Sequence, residues 1–117
     1  MYEIREVLVR NGEHERSIWV INFQDAKYDI VGEYLMTDAP MMNYRILEDI
    51  DQVLSGEKDE LIINGNRCSL QIQGEKTYIE DLFDGLFEDF DTYDSLSLPT
   101  EELRELISMW REKTEEE

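Results

Sequence analysis

The stretch Glu80–Asp94, EDLFDGLFEDFDTYD, constrains this chain more than any other. It carries Glu80, Asp81, Asp84, Glu88, Asp89, Asp91 and Asp94 without one Lys or Arg. Leu82, Phe83, Leu86, Phe87, Phe90 and Tyr93 are interleaved among those acids. A solvated tail has no use for so many large apolar groups, and a buried element cannot hold that much unpaired charge. The expectation is a segment lying against a core with its carboxylates outward, a preformed anionic surface. Asp84, Phe87, Glu88, Asp89, Phe90, Asp91, Tyr93 and Asp94 are the candidate partner-binding residues. The acids supply long-range attraction, and the aromatics supply anchors.

The rest of the composition agrees with a folded, binding-type chain. At 117 residues it is long enough for one hydrophobic core, so a single domain is expected. With 29 acids against 11 bases the formal charge is −18. That field repels nucleic acid and anionic membranes and favours a cationic partner, first of all a basic protein. Acidity that serves only solubility remains the bland alternative. Cys68 is alone, which excludes an intramolecular disulfide and suits a reducing interior; beside Ser69 and Leu70 it reads as a small core residue in a strand. The N-terminus lacks an apolar run with a basic flank, and no stretch reaches the roughly 18 apolar residues of a membrane span. A cytoplasmic location is expected.

Periodicity outlines the elements. Tyr2–Arg10 reads as a strand, Asn11-Gly12 as a hairpin turn, and Ser17–Phe23 as the return strand. Apolar residues on both faces of that return strand (Trp19, Ile21 and Phe23; Ile18 and Val20) predict a central strand covered on both sides. Asp25–Thr37 fits either a helix or a short strand. Ile46, Leu47, Ile50, Val53 and Leu54 form one apolar stripe of a helix starting near Asn43 and stopped by Ser55-Gly56. Met36, Met41 and Met42 read as core gap-fillers. A meander then follows: Glu60–Ile63, a turn at Asn64-Gly65-Asn66, and Arg67–Gln73 with Cys68, Leu70 and Ile72 inward. Thr77–Phe87 carries a conflict, because Thr77 and Glu80 have capping-box spacing while Thr77, Tyr78 and Ile79 favour a strand. The expectation is a strand over Lys76–Phe83 leading into an irregular acidic loop, then a short edge strand at Ser95–Leu98. Pro99 and Thr100 open the last helix, whose core face is Leu103, Leu106, Ile107 and Trp110, with fraying from Glu115. The expected fold is α+β: an antiparallel sheet of five or six strands with two packed α-helices, in a single domain.

Catalytic motifs are missing. There is no P-loop, dinucleotide fingerprint, zinc spacing or nucleophile elbow. His14 stands alone near a turn, and the acids of the 80–94 stretch miss the EF-hand spacing. No cofactor, metal or catalytic residue is expected, and the chain reads as a non-enzyme.

Five stretches carry a resemblance: VGEYLMTD from Val31, LEDIDQVLSGE from Leu47, INGNRCSLQI from Ile63, TYIEDLF from Thr77 and LPTEELRELISMW from Leu98. Together they resemble small acidic bacterial proteins of the kind found in toxin–immunity loci. Their shared features are caps, turns and core stripes, and they transfer no catalytic residue. The resemblance implies a cytoplasmic immunity protein that binds a cognate toxin, often a basic nuclease, and blocks its active site. A homodimeric structural or adaptor domain, closed by the apolar groups of the acidic stretch, is the alternative.

Overall fold

Two hairpin signals and three apolar stripes become two separate sheets and a helical layer. A computed structural model describes residues 1–83 and 92–115. In chain order, β1 (Tyr2–Asn11) and β2 (His14–Phe23) form a hairpin; a 3-10 turn leads into α1 (Asp29–Met36), the single-turn α2 (Asp38–Met41) and α3 (Ile46–Leu54). Strands β3 (Glu60–Asn64), β4 (Cys68–Gln73), β5 (Lys76–Asp81) and β6 (Leu96–Pro99) follow, and α4 (Thr100–Glu115) closes the described chain.

The α+β class holds, but the single sheet does not. β1 and β2 form a two-stranded sheet of their own, and β3-β4-β5-β6 form a four-stranded antiparallel meander in sequence order. The physical reason lies in what β2 meets. The face of β2 that bears its buried residue, Ile21, packs on α1, and neither β1 nor β2 pairs at its outer edge with a strand of the meander. Consequently the two-sided cover expected for β2 is absent: Ile18 is 38% exposed, and Val20 is only half-buried.

Helices cover one face of the meander. Register places Leu70 opposite Ile79 and Ile72 opposite Thr77, so Cys68, Leu70, Ile72, Thr77 and Ile79 share the inner face. They meet Ile50 and Val53 of α3 and Leu103, Ile107 and Trp110 of α4, all buried. Each such aliphatic side chain contributes about 1.5–3 kcal/mol on removal from water. The ambiguous Asp25–Thr37 segment becomes helical because Ile30, Val31, Tyr34 and Leu35 form one buried stripe. There are thus three helices longer than one turn, not two. The helix expected from Asn43 starts at Ile46, since Asn43 and Tyr44 adopt left-handed φ values of 55° and 58°. The three methionines are not gap-fillers: Met36, Met41 and Met42 are 37%, 68% and 37% exposed. The strand expected to reach Phe83 ends at Asp81, Leu82 and Phe83 forming a turn.

The two turns that share an Asn-Gly pair use glycine differently. In the β1–β2 hairpin the loop is Gly12-Glu13, and Gly12 takes φ 66° as a tight primed turn requires. Gly65, after β3, has no positive φ and serves close approach instead. A methyl group there would overlap the Asp38 carboxylate, its Cγ lying 2.8 Å from the ideal Cβ position. Asp38 is fully buried. It accepts the backbone N–H of Arg67 (3.0 and 3.1 Å to its two oxygens) and of Cys68 (2.8 Å), so α2 is fastened to the β3–β4 turn.

Gly65→Ala is therefore expected to destabilise the fold by about 1–3 kcal/mol, the usual range for overpacking. Gly74→Ala, where an added methyl meets nothing within 4 Å, serves as the control and is expected to leave the melting curve in place. Calorimetry of the two variants checks this.

Candidate partner-binding site

An inward-facing carboxylate at the corner of the meander organises the surroundings of the acidic stretch. Asp81 lies opposite Cys68 in the β4–β5 register, so its side chain points to the inner face and is completely buried. Arg67, one residue before β4, meets it in a two-pronged pair: Nε and Nη2 each donate to one carboxylate oxygen at 2.8 Å. Bidentate pairing of this kind is the strong form of the interaction. Glu33 of α1 approaches the same guanidinium at 3.7 Å, and the rings of Phe83 and Tyr93 lie 4.7 and 5.3 Å from its carbon.

The same two oxygens also accept backbone N–H groups. Phe83 N–H donates to one at 3.0 Å and Tyr93 N–H to the other at 3.0 Å. Phe83 and Tyr93 lie on either side of residues 84–91, so a single carboxylate joins the two described flanks. Burial raises the cost of the Asp81 charge, yet the Arg67 guanidinium and the two N–H donors outweigh it. The carboxyl is held below the usual aspartate range. Arg67 is shifted upward by its bond to Asp81 against the opposing effect of burial. The Tyr93 hydroxyl is pushed up by burial and then by the Glu33 carboxylate.

Outside this paired centre lies a shallow polar groove of about 570 Å³, bounded by Tyr78, Glu80, Leu82, Tyr93, Asp94 and Ser95. Tyr78 is 40% exposed, and Glu80 and Asp94 are exposed, so two carboxylates and a phenol face solvent beside Asp81. Of the sequence-predicted residues, Tyr93 and Asp94 thus fall at one place; Tyr93 is half-buried against Arg67 and is not a free anchor. Asp84, Phe87, Glu88, Asp89, Phe90 and Asp91 lie outside the described residues.

Sequence reasoning missed Arg67, Glu33 and the inward role of Asp81. A signal was present: Arg67 directly precedes the strictly alternating strand, and Asp81 holds an inward position on the next one. Cys68 is buried as expected; burial and the nearby Asp38, Asp81 and Glu33 carboxylates push its thiol up to about 12, so it is inert at neutral pH. Among the described residues no group of three or more His, Cys, Asp or Glu is placed to hold a metal, and no helix is long and apolar enough to cross a membrane.

Fold and site together define a small α+β protein with an acidic segment tethered to a buried ion pair. The chain is 38% identical over 71 residues to a Bacillus cereus protein described as "Immunity protein", a match covering 61% of this chain and 57% of that relative. The likeness to immunity proteins read from the sequence therefore holds over that portion. No family model matches the chain, and no solved structure matches it.

The ion pair gives a pH signature. Because the folded Asp81 carboxyl sits below its unfolded value, its stabilisation is complete above about pH 4 and fades as pH falls through the folded value. Asp81→Asn is expected to cost about 3–5 kcal/mol, because the buried Arg67 loses its bidentate partner. It should also flatten this acid-side loss, as urea unfolding between about pH 2 and pH 7 will register.

Proposed function

We propose that this chain is a non-enzymatic, cytoplasmic immunity protein that neutralises a cationic toxin, a basic nuclease being the natural type. Its acidic, aromatic-bearing surface is centred on Asp84, Phe87, Glu88, Asp89, Phe90, Asp91, Tyr93 and Asp94. The observation that carries the reading is the tether: Asp81 accepts N–H groups from both sides of that segment. Holding Phe83 and Tyr93 on one carboxylate fixes the two flanks relative to each other, and pre-ordering of flanks raises affinity without adding contacts. The likeness to the Bacillus cereus immunity protein supports the class. The −18 charge supports the sign of the partner.

In this reading the acids work at long range and the aromatics at contact. The six acids of the 80–94 stretch other than the paired Asp81 create a negative potential that accelerates encounter with a basic surface, an effect that weakens as salt shortens the screening length. Phe87 and Phe90 would enter pockets or cover apolar ground on the toxin, where a few aromatic residues carry most of the binding energy. Occlusion of the toxin's substrate-binding cleft needs no chemistry from this chain.

Replacing Asp84, Glu88, Asp89, Asp91 and Asp94 together by Asn or Gln is expected to lower the association rate at least tenfold, with a smaller change in dissociation. The assay is stopped-flow binding to the toxin domain encoded beside this gene, from roughly 50 to 500 mM salt, over which the screening length shrinks about threefold. Rates that ignore both the substitutions and the salt would overturn the acidic surface as the docking element.

A further inference from the structure

The β1–β2 arm differs from the rest of the molecule in three respects. Its register runs unbroken from Tyr2 opposite Phe23 to Asn11 opposite His14. Neither strand contains Pro or Lys, and no bulge interrupts the pairing. Those are the usual devices that keep a long strand from associating with another chain. Second, among the described residues no backbone hydrogen bond joins the arm to another element; the bond from Gln24 N–H to the Met1 carbonyl lies within its own base. A two-stranded ribbon on its own is marginal in water.

Third, the arm has an aliphatic face that lies outside the hydrophobic core. Val7 lies opposite Ile18, Val9 opposite Arg16 and Val20 opposite Arg5, so Val7, Val9, Ile18 and Val20 share one side of the ribbon. None of the four packs against the core. The other side holds Ile4, Trp19, Ile21 and Phe23, which do. Ile18 is 38% exposed and Val7, Val9 and Val20 are half-buried, so four neighbouring β-branched residues form an apolar patch partly open to solvent.

Charge identifies the occupant. Residues 1–24 carry three Arg and four Glu, a net of −1, while the remaining chain carries −17. A cationic partner is drawn to that remainder, not to a neutral arm. Two copies of a −18 chain repel each other least when their arms meet and their acidic bodies point apart. On the aliphatic face, Arg5 and Arg16 stand with Glu3, so a two-fold contact has both signs with which to match itself.

We propose that the arm is a self-association surface: a second copy of this chain packs on Val7, Val9, Ile18 and Val20. The inference does not depend on the immunity reading, and it moves self-association away from the acidic stretch. Strands of ten residues span ~33 Å. A ribbon face of that length and about 10 Å width buries roughly 330 Å² per copy, about 660 Å² in all, which is below the size of stable interfaces, so the dimer is transient, with a Kd no tighter than the micromolar range.

Sedimentation velocity on the full chain tests this. At about 100 µM and ~0.15 M salt the expected result is a dimer that dissociates on dilution and strengthens as salt screens the bodies from each other. Val7→Lys with Ile18→Lys is expected to give a monomer at the same concentration. Arg5→Glu with Arg16→Glu changes only exposed polar positions and keeps the aliphatic residues, and it should weaken the dimer at least tenfold through added repulsion. The second pair keeps the test decisive should the lysine variant fold poorly. A wild-type monomer at about 100 µM, or a dimer that the Arg5 and Arg16 substitutions leave intact, overturns the proposal.

Discussion

The bond between Arg67 and Asp81 is the interaction from which the functional region takes its form. Two fixed points meet there. Asp81 ends β5 on the inner face of the meander, and Arg67 enters β4 from a turn that Asp38 holds from beneath. A carboxylate in that position has to be paired, because its desolvation is too costly otherwise. Once paired, its remaining lone pairs are available to backbone N–H groups, and those of Phe83 and Tyr93 take them. A structural ion pair thereby becomes the neck of the acidic segment.

Two buried aspartates divide the work of holding dissimilar parts together. Asp38 joins the helical connection between α1 and α3 to the β3–β4 turn, with Gly65 leaving room for it. Asp81 joins β4, β5 and the two ends of the acidic segment, and Glu33 adds a link from α1 to the same guanidinium. Apolar packing alone would leave these connections free to slide. Directional bonds to backbone N–H groups specify where the turns sit, at the expense of a core that is not purely hydrocarbon. The chain's large negative charge makes such internal pairing more valuable, since self-repulsion opposes compaction.

Much of this was legible from residue patterns, and the failures have physical causes. Alternation at Cys68, Leu70 and Ile72 located β4, and the 3.6-residue stripe of Leu103, Leu106, Ile107 and Trp110 located α4. Both depend only on neighbours along the chain. Sheet membership does not: β1 and β2 have the same alternation whether they join the meander or stand apart, because pairing is decided at strand edges that side-chain patterns do not report. Apolar residues on both faces of β2 read as two-sided burial, whereas the Ile18 and Val20 face lies outside the core. Met36, Met41 and Met42 read inward by their type, but the inward positions of α1 and α2 go to Leu35, Asp38 and Ala39. Burial of Asp81 was hidden because its partner lies 14 residues away, and that of Asp38 because its donors lie 29 and 30 residues away. A count of acids cannot separate two paired carboxylates from the many that face water.

The central claim is that one buried carboxylate fastens both ends of the acidic segment, and amide hydrogen exchange reads it directly. In the wild-type protein the Phe83 and Tyr93 amides should exchange slowly, near the rate of Ile79 in β5, and Asp81→Asn should release both together. Fast exchange at either amide in the wild type, or release of one without the other, would contradict it.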